Sequence, residues 1–282
     1  MIRHLEKWRE KMPTIHPTAV IDGDVSLADT VVIGPYCVLD GTTGPITIGS
    51  GTRLNSTVHL TGPLIIGQRN TIYPNACLGF SAQDLKWDPA RPGAGVVIGN
   101  DNTFREGATV NRATSEESPT TIGNDNFLMG IAHIGHDARV GNNNIISQGA
   151  MLGGFVQVAD RVNIGGAAGV HQFCRIGRGC MLGGNLVLLQ DLPPFFMLTG
   201  SNVAGSLNLI GLRRSHTPSN VIKEIRWVFH TLYRSGLSMK SALTALRDHA
   251  PTPTIDEYID FIEHSQRGIC QGRAKKIRAA VG

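Results

Sequence analysis

From Ile122 to Leu188 every sixth residue is aliphatic: Ile122, Leu128, Ile134, Val140, Ile146, Leu152, Val158, Ile164, Val170, Ile176, Leu182 and Leu188. The same spacing links Ile15 to Leu39, Ile48 to Leu78 and Ile98 to Val110. A period of six fits neither the 3.6-residue helix nor the two-residue alternation of a half-buried strand. It predicts a parallel β-helix, in which each hexad forms one short flat face and three hexads close a triangular coil. The twenty-six anchors make about nine coils, a prism roughly 40 Å long at the ~4.8 Å spacing of neighbouring strands. Residues 18 apart should then lie directly above one another.

The fifth position of the hexad is small: Ala132, Ala138, Ala150, Ala168, Cys174 and Cys180. Anchor and small residue together imply a thin core with little room for rings, in keeping with an aromatic content of 6%. The period breaks at residues 79–97 and 111–121, two polar, Pro- and Gly-containing insertions expected to loop out and build a binding surface. It ends near Gln190–Gly200. Helical spacing then covers Pro218–Arg234, Ser238–His249 and Thr254–Arg267, separated by Ser235-Gly236 and Pro251–Pro253. The expected organisation is an N-terminal extension (1–13), a β-helix (14–200) and a C-terminal helical domain with a basic tail (201–282). Such a cap would cover the open strand edge at the end of a solenoid.

No apolar run is long enough to span a membrane, and the polar start MIRHLEKWREKMP lacks an apolar signal core, so a cytoplasmic protein is expected. Cys37, Cys77, Cys174 and Cys180 are read as small core fillers rather than disulfide partners or metal ligands. Residues 201–282 carry 12 Lys and Arg against 6 Asp and Glu. That surplus is either a solvated helical surface or a face for an acidic partner. Nucleic acid is not the expected partner, because no recognised binding motif accompanies the charge.

Coil geometry gathers the candidate chemistry. His136 stands 18 residues before Gly154 and 36 before Gln172, so these three should form one column. His171 belongs to the adjacent column and His133 to the same corner. Two chemistries fit. One histidine can act as general base on a hydroxyl, since imidazole titrates near neutrality, with Asp137 orienting it and the Gly154 N–H facing an oxyanion. Alternatively the three histidines bind Zn²⁺, as in hydratases built on this architecture. A purely structural solenoid would leave the column unexplained.

Phe127–Gly141 (FLMGIAHIGHDARVG), Gly169–Gly177 (GVHQFCRIG), Gly183–Phe195 (GGNLVLLQDLPPF), Gln83–Lys86 (QDLK) and Asn208–Arg214 (NLIGLRR) resemble one family in order and spacing. It is the acyl-[acyl-carrier-protein]–UDP-N-acetylglucosamine O-acyltransferases, which begin lipid A synthesis; the likeness runs from about Pro13 to Arg267. The resemblance implies a left-handed parallel β-helix, a homotrimer with sites between subunits, and transfer of a 3-hydroxyacyl group to the sugar 3-hydroxyl. It implies neither metal nor separate cofactor, the acyl group arriving on the phosphopantetheine of acyl carrier protein. That small acidic carrier would be the partner of the basic helices.

By the same resemblance His136 matches the general base, Asp137 its acidic neighbour and Gly154 the glycine facing the thioester oxygen. His133, His171 and Gln172 match contacts to acceptor or acyl chain. Asp84 and Lys86 match sugar and acyl-chain contacts, and Asn208 and Arg214 the region meeting the nucleotide and the phosphopantetheine arm. Gly184 lies where the chain-length ruler sits, and glycine there leaves room for a long chain. The sequence departs from the family at Phe155 (usually His), Ile210 (usually Glu), Ser215 (usually basic) and a shortened Asn202–Leu207. These changes are either divergence or a different sugar-nucleotide acceptor, such as one with a 3-amino group.

Overall fold

The computed structural model describes residues 12–272. It is a parallel β-solenoid of about ten turns followed by a short helical region, so the hexapeptide reading of the fold is borne out. Most of the expected N-terminal extension and the basic tail beyond Gly272 lie outside the described residues. Each turn has three faces. Face one includes Thr14–Ile15, Phe127–Leu128, Ile145–Ile146, Asn163–Ile164 and Met181–Leu182. Face two includes Thr109–Asn111, His133–Ile134, Met151–Leu152, Gly169–Val170 and Val187–Leu188. Face three includes Thr120–Ile122, Arg139–Val140, Gln157–Val158 and Arg175–Ile176. Strand Val38–Ile48 bends from face two into face three, joining the two into a single 15-stranded sheet.

The anchors point inward and the residues before them outward. Ile134, Leu152, Ile146, Ile164 and Leu182 are fully buried, as are Ala132, Ala138, Ala150, Ala168, Cys174 and Cys180 at the small position. Cys77 does not belong with them. It precedes anchor Leu78, one residue out of phase, so it lies in the outward row and is only half-buried, while Ala76 fills the core position. The corners require left-handed backbone, taken by Gly149 (φ 68°) and Gly179 (φ 66°) but also by non-glycine residues such as Asn143 (φ 58°) and Asn185 (φ 56°).

The coil repeat is 18 residues wherever it is undisturbed: His133 pairs with Met151, Met151 with Gly169 and Gly169 with Val187. Every departure from 18 falls at the corner between faces two and three. Three extra residues enter within Val38–Ile48, shown by Gly23 pairing with Gly41 but Val25 with Ile46. The long insertion makes Leu64 pair with Val96, and the second makes Val96 pair with Thr120. Two residues are lost there in the last turn, where Ile176 meets Leu192.

Beside the corner between faces three and one, Asn70, Asn102, Asn126 and Asn144 stack as a buried ladder. Each side-chain oxygen accepts the backbone N–H of the floor above at 2.8–2.9 Å, ending on Val162. This satisfies backbone N–H groups that would otherwise be costly inside the prism.

Strand Phe196–Gly200 closes face one and turns back into the antiparallel Val203–Leu207, on which Gln271–Gly272 adds a further strand. Between them lie α1 (Leu209–Arg214), α2 (Ser219–Tyr233), α3 (Met239–Arg247) and α4 (Pro253–Glu263). Pro253 opens α4 rather than separating helices. Thr252 caps that helix through Ile255 N–H, and proline fits the first turn, where its missing N–H is not needed. The helices pack on the last coil through Phe196, Phe229, Tyr233 and Tyr258, and Tyr258 Oη donates to Pro194 O at 2.8 Å. Buried Asp191 accepts from Arg175 N–H and Ser265 Oγ, tying the solenoid to the chain after α4.

Candidate active site

The corner between faces two and three carries the chemistry. His136 and Asp137 are its first residues on their floor, and both are buried. Asp137 adopts φ 59°, the left-handed turn that the corner requires. Its Oδ2 lies 2.7 Å from His136 Nδ1. It also accepts from Thr114 N–H (2.9 Å), Thr114 Oγ1 (2.8 Å) and Ser115 N–H (3.1 Å). Burial works against ionisation of Asp137, but the bonds from His136, Thr114 and Ser115 outweigh it and hold the carboxyl below its usual range. An ionised carboxylate only accepts, so His136 Nδ1 carries the proton and Nε2 is left with its lone pair.

One floor up, Phe155 N–H donates to His136 O, and on the next floor Phe173 N–H donates to Gly154 O, so His136, Gly154 and Gln172 are stacked. A Cβ on Gly154 would lie 2.7 Å from both Cε1 and Nε2 of His136, so only glycine lets the imidazole lie there. The Gly154 N–H makes no hydrogen bond among the described residues. His133 lines a groove on face two of about 280 Å³ with Met151, Gly153 and His171. Its Nδ1 lies 2.8 Å from Thr109 Oγ1. Burial, and after it the proximity of His136, lowers the His133 pKa. His171 Nδ1 donates to Gln172 O at 3.1 Å. Among the described residues no three His, Cys, Asp or Glu side chains are placed to hold one metal ion.

The two insertions converge on this corner. Residues 79–97 leave face two just below it and carry Asp84 and Lys86, both exposed, with Asp84 Oδ1 accepting Lys86 N–H. Buried Arg112 grips the base of that insertion through Gly79 O and Pro89 O. Ala94 N–H donates to Ser115 O at 2.7 Å, and Arg91 pairs with Glu116, so the long insertion braces the short one that holds Asp137. These braces were not evident from the sequence, although the position of the 111–121 break one coil below His136 pointed toward them.

Other expected site residues lie elsewhere on the same chain. Gly184 sits against Gly166 at the corner between faces one and two. Asn208 caps α1 through Gly211 N–H and donates from Nδ2 to Gly179 O, at the corner between faces three and one. Arg214 is exposed in the last turn of α1. A feature missed in the sequence is the pair Phe155 and Phe173, stacked at 4.7 Å; their separation of 18 residues is the signal that finds them. Both rings line a face-three cleft of about 750 Å³ whose lining includes Asp137, Arg139 and Arg175.

Comparison with known proteins places this geometry. Residues 191–270 match the family model described as UDP N-acetylglucosamine O-acyltransferase, domain 2. Residues 119–154 match the bacterial transferase hexapeptide model. An acyl-[acyl-carrier-protein]–UDP-N-acetylglucosamine O-acyltransferase of Paraburkholderia phymatum is 39% identical over 92% of this chain and 99% of its own length. The enzyme so named from Thermodesulfovibrio yellowstonii is 40% identical over 92% and 100%. The Francisella novicida UDP-N-acetylglucosamine acyltransferase structure superposes with a TM-score of 0.86 at 32% identity, covering 95% of this chain and 99% of that one. LpxA from Acinetobacter baumannii gives 0.84 at 37%, covering 91% and 99%. With the hexapeptide solenoid, the helical cap and near-complete coverage in agreement, the chain belongs to the acyl-[acyl-carrier-protein]–UDP-N-acetylglucosamine O-acyltransferases.

Proposed function

We propose that this acyltransferase moves a 3-hydroxyacyl group from acyl carrier protein to the 3-hydroxyl of UDP-N-acetylglucosamine, the opening step of lipid A synthesis. The observation that carries the reading is the His136–Asp137 dyad with its free Nε2 beside an unengaged Gly154 N–H. Nε2 takes the proton of the acceptor hydroxyl as the oxygen attacks the thioester carbonyl carbon. The resulting oxyanion is met by the Gly154 N–H. The C–S bond then breaks, and the leaving thiolate takes the proton back from the imidazolium. Asp137 holds the tautomer throughout and stabilises the imidazolium while it lasts.

The expected contacts from Gly184, His136 and Asn208 occupy three different corners of one prism. A substrate touching all three needs a neighbouring copy, which supports a homotrimer with sites between subunits. Exposed Met151, Val187 and Leu189 on and beside face two, and fully exposed Leu85 between Asp84 and Lys86, favour the same arrangement. Of the twelve C-terminal cations, Arg273, Lys275, Lys276 and Arg278 lie outside the described residues and Arg247 is paired with Glu263, while exposed Arg213 and Arg214 are available to an acidic carrier. Five free thiols accord with a cytoplasmic enzyme, and no described helix is long and apolar enough to cross a membrane.

The test is a mass-spectrometric transfer assay with 3-hydroxyacyl carrier protein and either UDP-N-acetylglucosamine or its 3-amino analogue. Product from the hydroxyl sugar, absent with His136→Ala, is expected. Product from the amino sugar alone would assign Phe155, Ile210 and Ser215 to a different acceptor. Product from neither would overturn the reading.

A further inference from the structure

The corner beside the dyad carries aromatic rings where the backbone asks for something else. Each corner residue takes a left-handed φ, which is inexpensive for glycine and tolerable for asparagine or aspartate, but costs more for a bulky side chain. The chain uses the inexpensive residues at Asp125, Asn143, Gly149, Gly179 and Asn185, and bulkier ones at Tyr36, Ile131 and Arg161. On the two floors directly above Asp137 it places Phe155 (φ 61°) and Phe173 (φ 66°) instead. What sets these two apart is what the rings touch: each other and the His136 imidazole.

Phe155 stands perpendicular to the His136 imidazole, at 5.4 Å between centroids and 85° between planes. Phe173 stacks on the far side of Phe155 at 4.7 Å and 12°. The imidazole is thereby confined: Nδ1 by Asp137, the Cε1–Nε2 edge by the Gly154 backbone, and a remaining side by Phe155. Only 11% of the His136 side chain is exposed. The face-three cleft is lined by Phe155, Phe173 and Asp137 but not by His136, whereas the face-two groove is lined by His133, Gly153 and His171. The two rings thus form a partition between the imidazole and the larger cleft.

We propose that Phe155, braced by Phe173, is a positioning residue that fixes the His136 ring so that one nitrogen stays on Asp137 and the other beside the Gly154 N–H. This rests on the acyl-transfer reading only where turnover is measured. Perpendicular aromatic contact fixes ring orientation as well as burying area, and a base displaced by about 1 Å can lose on the order of a hundredfold in rate.

The test uses full-length protein labelled with ¹⁵N-histidine, with the His136 signals assigned by His136→Gln. Phe155→Leu should replace the single-tautomer ring signals of His136 with exchange-broadened, averaged ones. It should lower kcat at least about tenfold with KM little changed. Phe155→Tyr should restore both, and Phe173→Leu should shift both in the same direction by less. A wild-type ring spectrum in Phe155→Leu overturns the proposal, and so does a loss carried by KM alone, which would make Phe155 a substrate contact. If Phe155→Leu does not fold, Phe173→Leu decides by the same two readouts. Should the wild-type protein transfer no acyl group, the functional reading fails, while the ring spectra still decide this inference.

Discussion

His136→Ala should lower turnover on the order of 10²- to 10⁴-fold while leaving the unfolding midpoint close to wild type, because the ring lies at the rim of the core. Asp137→Asn is a sharper probe. Its amide keeps the shape but must face the N–H groups of Thr114 and Ser115, so one of the present bonds is lost. A transfer assay should show a fall in kcat of roughly a hundredfold or more. The same substitution tests linkage. Asp137 has a lower pKa folded than unfolded, so its stabilisation is complete above about pH 4 and is lost as the pH falls further. Urea unfolding curves of wild type and Asp137→Asn should therefore converge toward pH 3; a gap that stays constant from pH 7 to pH 3 would contradict it. Gly154→Ala should inactivate without unfolding, since the new Cβ meets the imidazole and not the core. The dyad's column was legible because a period of 18 turns sequence distance into height. The carboxylate's true partners, Thr114 and Ser115, were not, because a loop outside the period has no fixed height.

Among the repeating elements, the Asn ladder offers the clearest energetic test. Asn102 accepts from both the backbone and side-chain amides of Asn126 and donates to Asn70 Oδ1 and Gly123 O. Asn102→Ala would strand several buried groups and should cost about 2–4 kcal/mol in urea unfolding. Half-buried Asn124 accepts Asn100 N–H and donates to Asn142 Oδ1 in a second, more exposed ladder, and Asn124→Ala should cost under about 1 kcal/mol; equal losses would show that burial is not the cause. The strands were legible from their anchors alone. The cap was less so: α1 spans six residues, too few for a helical period to appear, and Val203–Leu207 pairs with a strand near the far end of the chain. Such long-range pairing leaves no local mark.

For the molecule as a whole, the decisive fact is that Arg214 and His136 belong to different parts of one chain. If each site is completed by a neighbour, His136→Ala and Arg214→Ala chains, each nearly inactive alone, should regain activity when co-expressed, because some mixed sites carry both native residues. No recovery in purified mixed assemblies would place all contacts within one subunit. The anchors fix how one prism is wound, but any surface that met a second prism would be set by the outward row, whose pattern has no obligatory period.

One property of the winding reaches further. Additions of three residues, of a long and a short loop, and the loss of two residues all fall at a single edge, while the other two edges keep count. An inserted residue that entered a strand would turn the anchor after it outward. At the uncounted edge it changes only a loop, and that edge is where the histidine stands. Variation in chain length is thus confined to the place where it alters chemistry and spares the scaffold, so a foreign segment grafted after fully exposed Leu85 should be accepted and should retune the choice of substrate.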